Sequence, residues 1–374
     1  MTQRVLLLSS VHPATDPRIL YKIVPALTPH YKVFCVLPDA VQADQNDVEM
    51  IRLPHYPGLL ARILLTHPVV LWKCLRLRPD LVHIFVPELI PVAFVFHWLG
   101  AKIIYEVQEN LYKKFEIKKN NNNLIFRLLF QLFDLFARKH FYFILTEDAY
   151  LKEYRNLAQS SAVIHNYVSL SFVDRYSATD KPVNPKVPAF FYSGVISMER
   201  SFDTIIAALI LLKKRVPDFQ LHLFGPVRFS EQEAQQLPGY DEVKAHLMFY
   251  GYTDLRFILK QAKECIAGIA LLKPLADYPD SFTTKLFEYM ALKLPVITSD
   301  FLLYKQVVET AECGFCISPS DPKQLSKTLE WMISNPEKAI KQGMNGRKSV
   351  ERSYNWENEQ KILLSFYKTV LSQG

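Results

Sequence analysis

Short runs of consecutive apolar residues recur through the first half of the chain, at 5–9, 33–37, 81–85, 103–107, 143–146 and 162–165. Most are continuous rather than alternating, as strands covered on both faces are, and helical patterns separate several of them. A second series opens at 190–193 and continues through 221–224, 248–250, 266–271, 296–298 and 315–317. Each series predicts an open parallel α/β sheet, which binds ligands beyond the carboxyl ends of its strands. Between them, the stretch from Lys181 to Pro188 supplies three prolines and no core pattern. The boundary is therefore expected within 177–188, giving one domain over 1–180 and another over 186–354. From 355 a last helix follows, with Ile362, Leu363, Phe366, Val370 and Leu371 on one face.

The stretch 278–299 carries the densest chemistry. From Thr284 to Leu292, apolar residues at Leu286, Phe287, Met290 and Ala291 have the spacing of a short helix with one buried face. Asp280, Ser281, Thr283 and Thr284 precede it and suit a capped start. A helix start exposes unpaired N–H groups and the positive end of the dipole, so it can hold a phosphate or diphosphate. Lys285 adds a full charge in the first turn, where the dipole disfavours a cation. Glu288, one turn on, is placed to receive two hydroxyls of a ribose. The alternative is an amphipathic helix with an ordinary surface acid and lysine.

This stretch resembles the donor-site signature of retaining GT-B glycosyltransferases of family 4, in which two acids flank a loop and a helix start. Thr283 to Ala291, TTKLFEYMA, is similar to one branch of that family apart from a missing proline. Asp280 stands where the family usually has glutamate. The resemblance implies two Rossmann-like doubly wound domains facing a central cleft, with the last helix, 355–374, returning to the first domain. It implies a donor site of Gly194, Thr283, Thr284 and Glu288, with Arg200, Lys285 and Asp280 at the reacting sugar and diphosphate. After the strand at 190–193, Gly194 matches the family's turn and Arg200 its distal base, while Val195 occupies the usual arginine position. Gly225-Pro226 and Gly251-Tyr252-Thr253 fall where that branch places nucleobase-facing loops.

The acceptor side is implied to lie in loops of the first half, at His12, Asp16, Arg18, Glu88, Gln108 and Glu109. The run Tyr105-Glu-Val-Gln-Glu-Asn110 replaces the aspartate-x-histidine-glutamate expected of relatives, so Gln108 stands at the histidine position. Glutamine cannot accept a proton at neutral pH, and any role for it is positional. The departures at Gln108, Val195 and Asp280 support a second reading, a GT-B-shaped nucleotide-binding or scaffold protein impaired in turnover.

Composition narrows the partners. The 374 residues are 49% hydrophobic and 22% charged, with a net charge of +7. This describes a globular chain whose basic surplus suits phosphorylated ligands or an anionic membrane surface. No nucleic-acid-binding signature is present. Five scattered cysteines predict a reducing compartment, and Cys313-Gly-Phe-Cys316 reads as a buried strand rather than a metal or redox pair. The opening apolar run is too short for a secretory signal, and the run 81–99 splits into a strand, a loop and a buried helix. The expected location is cytoplasmic, with a peripheral contact on the inner face of the membrane as a further expectation. That contact would use 112–140, where Lys113, Lys114, Lys118 and Lys119 precede an apolar helix. The helix is apolar nearly all round, so burial under a solvated basic loop is the favoured expectation over a membrane contact.

The reading is thus a hexosyltransferase that needs no metal and no cofactor. Its substrates are a UDP- or GDP-linked sugar as donor and a hydroxyl of a cell-envelope glycan or lipid-linked saccharide as acceptor.

Overall fold

A computed structural model describes residues 2–41, 48–56, 58–114, 124–177 and 187–373. Lys118, Lys119 and the Asn120 to Asn123 run of the basic segment lie outside the described residues, as does most of the proline-rich linker. The chain forms two compact units, Met1–Asn166 with Trp356–Gly374, and Tyr167–Asn355.

The first unit carries seven strands: β1 (Arg4–Leu8), β2 (Lys32–Pro38), β3 (Val48–Leu53), β4 (Leu81–Ile84), β5 (Lys102–Val107), β6 (Tyr142–Leu145) and β7 (Ser161–Val163). All pair in parallel in the order β3-β2-β1-β4-β5-β6-β7, with Val5 opposite Val33 on one side and Leu81 on the other. Strand β3 is absent from the sequence expectation because its Glu49 and Arg52 interrupt any apolar run, as an edge strand allows. Leu6, Leu8, Val82 and Ile103 point to one face, under the helices His67–Cys74, Ile90–Trp98 and Leu124–His140. Val5, Leu7, Leu81 and Ile104 point to the other, under the segment 19–27 and the helix Trp356–Ser372.

That last helix belongs to the first unit, as the resemblance implied. Leu363, Phe366, Tyr367 and Val370 are buried, and the Tyr367 hydroxyl shares a 2.6 Å hydrogen bond with Nδ1 of His83 in β4. Ile362 lies off the buried face.

The second unit carries β8 (Ala189–Ser193), β9 (Gln220–Phe224), β10 (Leu247–Gly251), β11 (Ala267–Ala270), β12 (Val296–Ser299) and β13 (Gly314–Ile317). Its order is β10-β9-β8-β11-β12-β13, again wholly parallel. The division between units falls at 166/167, earlier than the expected 177–188. The helix Leu170–Ser177 is the reason: Asp174 pairs with Arg347 at 2.7 Å, and Val173 lies in the second unit's core. Cys313 and Cys316 flank and enter β13, and burial pushes both thiols up to about 12, which leaves them protonated and structural.

A second correction concerns the helix Leu124–His140, expected to be buried nearly all round. Its inner side packs Ala137 into the core, yet Leu128, Leu129, Leu132, Leu135 and Phe136 are exposed. One layer of helix covers the sheet here, so only one stripe of the helix finds an apolar partner.

Candidate functional site

In a doubly wound sheet the strand order reverses at one point, and the loops leaving the two central strands diverge there into a crevice. In the second unit that point lies between β8 and β11, and Gly194, Arg200 and Lys285 come together at the end of β8. Gly194 follows the strand with φ of 106°, a backbone that suits glycine. A Cβ at this position would stand 2.7 Å from Cε of Lys285 and 3.4 Å from both its Nζ and the Arg200 Nη1. The bare glycine therefore makes room for two cations. Gly225 closes behind it, its amide and Gly194's joining the neighbouring strand ends at 2.7 Å.

Lys285 reaches this place because its helix, Thr284–Ala291, is pinned from inside. Tyr289, one turn after Lys285 on the same face, accepts from the Ser193 amide at 2.9 Å and donates to the Ile269 carbonyl at 3.3 Å. Gly268 admits the ring, since a Cβ there would lie 2.3 Å from it. At the helix start, Phe282 stacks on Tyr304 and meets Phe287 edge-on, while the Tyr304 hydroxyl donates to the Ser281 carbonyl at 3.0 Å. The loop is thus built as firmly as the helix it feeds. Thr283 is the N-cap residue, but its side chain makes no capping bond, contrary to the expectation of a capped start.

The electrostatics are unusual. Lys285 is 4% exposed, and its ammonium has no hydrogen-bond partner among the described residues. The nitrogen sits 3.8 Å from the centre of the Tyr192 ring, whose hydroxyl donates to the Val195 carbonyl. Burial pushes the amine well below the ordinary lysine range, the nearby Arg200 adds to this, and Glu288 opposes it. Two basic groups therefore converge beside a helix start, the buried one without a hydrogen-bond partner among the described residues. Glu288 is half-buried one turn on, and Asp280 is exposed on the turn Tyr278–Asp280.

In the first unit the reversal lies between β1 and β4, and it sorts the expected acceptor residues into two groups. Ser9 and Ser10 leave β1. Ser9 Oγ accepts from the His12 amide at 3.1 Å and bonds its Nδ1 at 2.8 Å. Ser10 Oγ donates to Glu88 Oε1 at 2.7 Å, and Arg62 Nε donates to the same oxygen at 2.6 Å. His12 and Glu88 are thus brought to the sheet's switch point. Ser10 and Arg62 were not among the sequence candidates: Ser10 stood in plain view after the first strand, whereas no local pattern marks Arg62.

Arg18 corrects the expectation. Its side chain is buried, donating to both carboxylate oxygens of Glu106 at 2.8 and 3.0 Å and to the carbonyls of Ile164 and His165. Burial alone would raise the Glu106 carboxyl, but Arg18 and His83 outweigh it and hold it well below the usual carboxylate range. Arg18 is committed to the interior, because Glu106 and the two carbonyls occupy its guanidinium. Asp16 Oδ1 accepts from the amides of Arg18 and Ile19 and starts the following helix. Gln108 donates to Glu106 at 2.7 Å and is half-buried, and Glu109 is exposed.

Residues 177–349 match the family described as Glycosyl transferases group 1. The matched segment lies within the second unit. All of Gly194, Arg200, Asp280, Lys285 and Glu288 fall within the matched segment. The lipopolysaccharide core biosynthesis mannosyltransferase LpcC of Rhizobium leguminosarum bv. viciae is 22% identical over 54% of this chain and 55% of its own. The chain spans about half the length of the curated relatives it matches. Among solved structures, sucrose-phosphate synthase from Thermosynechococcus elongatus superposes with a TM-score of 0.78 at 18% identity over the whole of both chains. Anabaena HepE in complex with UDP-glucose gives 0.72 at 14% identity over 99% of this chain and 100% of that one. These likenesses show the fold, GT-B, for the whole chain.

Proposed function

We propose that the protein transfers a sugar from a UDP- or GDP-linked donor to a hydroxyl acceptor, with retention at the anomeric carbon. The observation that carries this reading is the buried amine of Lys285, without a hydrogen-bond partner among the described residues, beside Arg200 and opposite a glycine that keeps the space clear. A buried amine without a partner is costly, and a diphosphate supplies the missing partner and favours the charged form. The N–H groups at the start of Thr284–Ala291, with Thr283 and Thr284, would take further phosphate oxygens, and Glu288 would receive ribose hydroxyls.

In transfer the bond from the anomeric carbon to the diphosphate breaks, the bond to the acceptor oxygen forms, and the acceptor's proton passes to an oxygen of the departing diphosphate. Negative charge grows on the leaving diphosphate, and Arg200 with Lys285 would stabilise it without requiring a divalent ion. Asp280 would lie toward the sugar or its phosphate side. His12, Ser10 and Glu88 are the groups of the first unit suited to a hydroxyl acceptor, because the Glu88 carboxylate is already fixed by Ser10 and Arg62. A cell-envelope glycan or lipid-linked saccharide fits the class of LpcC, the relative named for lipopolysaccharide core biosynthesis.

One observation favours a second reading. Gln108 is tied to Glu106 and takes no proton, so a chain impaired in turnover would still bind nucleotide. Incubating the protein with UDP- and GDP-sugars and following release of the nucleoside diphosphate separates the two. Release that falls at least tenfold in Arg200→Ala supports transfer chemistry; tight nucleotide binding with no release from any donor supports the impaired reading.

A further inference from the structure

The outer surface of one helical layer of the first unit is apolar where a soluble surface should be polar. Leu64 is 66% exposed, Trp72 75%, Trp98 77% and Leu99 70%, and Leu128, Leu132 and Leu135 add a stripe along the helix Leu124–His140. These side chains share one face. The helices His67–Cys74, Ile90–Trp98 and Leu124–His140 cover the same side of the seven-stranded sheet and pack side by side. Phe94 joins two of them, its ring meeting Trp98, Phe136 and His140 within 6.4 Å. Single exposed apolar residues need no explanation, but a layer of this extent marks a docking surface.

Charge selects the occupant. The segments 58–78, 90–102 and 124–140 contain one acid among them, Asp134, and it is fully buried and paired with Arg138 at 2.8 Å. Arg76, Arg78, Arg127 and Lys139 are exposed around the apolar stripe with no acid on these helices to answer them. Two exposed tryptophans, aliphatic side chains and an unopposed basic rim match the layers of an anionic bilayer: acyl chains, the interface where indoles settle, and phosphate headgroups. A protein partner or a second copy would have to supply acids that this face itself lacks, which disfavours self-association through it. No described helix is long and apolar enough to cross a membrane, so the contact is with the surface.

We infer that this helical layer docks the protein on an anionic lipid bilayer, with Trp72, Trp98 and the Leu128–Leu132–Leu135 stripe entering the interface and the basic residues meeting lipid phosphates. The inference is independent of the donor site and of any transfer activity.

The test is co-sedimentation of the full chain with vesicles of phosphatidylcholine alone and of equimolar phosphatidylcholine and phosphatidylglycerol, with tryptophan emission read in parallel. Binding should be at least about tenfold tighter to the anionic vesicles and should weaken as salt rises. The emission should shift to the blue. Trp72→Glu combined with Trp98→Glu should abolish sedimentation while leaving the melting temperature unchanged, since both side chains are three-quarters exposed. The wild-type fluorescence decides the matter even if that variant misfolds. No binding to either vesicle would overturn the inference, as would equal binding to both. A concentration-dependent dimer dissolved by the same substitutions, without vesicle binding, would give the face to a second copy instead.

Discussion

Replacing Lys285 by methionine keeps the length of the side chain and removes its amine, and the two consequences have opposite signs. In the free protein the buried nitrogen has no hydrogen-bond partner among the described residues. Such a group costs about 1–3 kcal/mol, of which the face of Tyr192 returns roughly 0.5–2 kcal/mol when the amine is charged. Lys285→Met should therefore raise the unfolding free energy by about 1 kcal/mol, or about 2–4 °C for a unit of this size. Nucleoside diphosphate affinity should fall, because a charged hydrogen bond to phosphate is worth about 1.5–3 kcal/mol, or roughly ten- to 150-fold in Kd. Differential scanning calorimetry reads the first change and isothermal titration the second. The pH dependence follows from the same amine. Its pKa is depressed in the free protein and rises against a phosphate, so binding takes up a proton, and affinity falls as pH climbs from the depressed value toward the ordinary lysine range. The apparent binding enthalpy will then differ between phosphate and Tris buffers in the wild type and not in Lys285→Met. A variant that melts several degrees lower and binds nucleotide unchanged would refute the reasoning and make Lys285 a structural residue.

Three further expectations concern other parts of the molecule. Gly194→Ala places a methyl 2.7 Å from Lys285 Cε at a φ of 106°; it should cost about 1–2 kcal/mol in thermal unfolding and weaken nucleotide binding about tenfold as the lysine is displaced. Glu106→Gln leaves the Arg18 guanidinium buried without its counter-charge and should cost about 3–5 kcal/mol in urea unfolding. Because the Glu106 carboxyl is depressed, the wild-type contribution is present above the ordinary glutamate value and is lost only as pH falls through the depressed one. His165 is the opposite case: burial lowers it, but Glu359 and Asp148 outweigh burial and raise it. That stability is complete below the ordinary histidine value and disappears as pH rises through the raised one, so amide exchange in Trp356–Ser372, corrected for its intrinsic pH dependence, should quicken as pH climbs past that raised value.

Both sheets were legible in the sequence because buried parallel strands are written as continuous apolar runs, and β8 to β13 each have such a run. Strand β3 was not, since an edge strand tolerates Glu49 and Arg52. The donor cluster was readable as residue types, Gly194, Arg200, Lys285 and Glu288, but not as a physical arrangement: that Lys285 is buried and unpartnered depends on Tyr289 and Gly268, which are distant in the chain from β8. Arg18 was misplaced for a related reason. Its partner Glu106 lies 88 positions away, and the sequence contains no sign that the two meet inside the sheet layer. The exposed face of Leu124–His140 was read as buried because periodicity reports how apolar a helix is, and not how many layers will cover it.

The central claim is that the cations at the end of β8 hold a nucleoside diphosphate. Calorimetric titration of the purified protein with UDP and with GDP, repeated on Arg200→Ala and Glu288→Ala, tests it most directly. The account predicts that one of the two nucleotides binds and that each substitution weakens it by about 1–3 kcal/mol, the scale of a lost charged hydrogen bond. Binding of neither nucleotide by the wild type, or binding that both substitutions leave untouched, would contradict it.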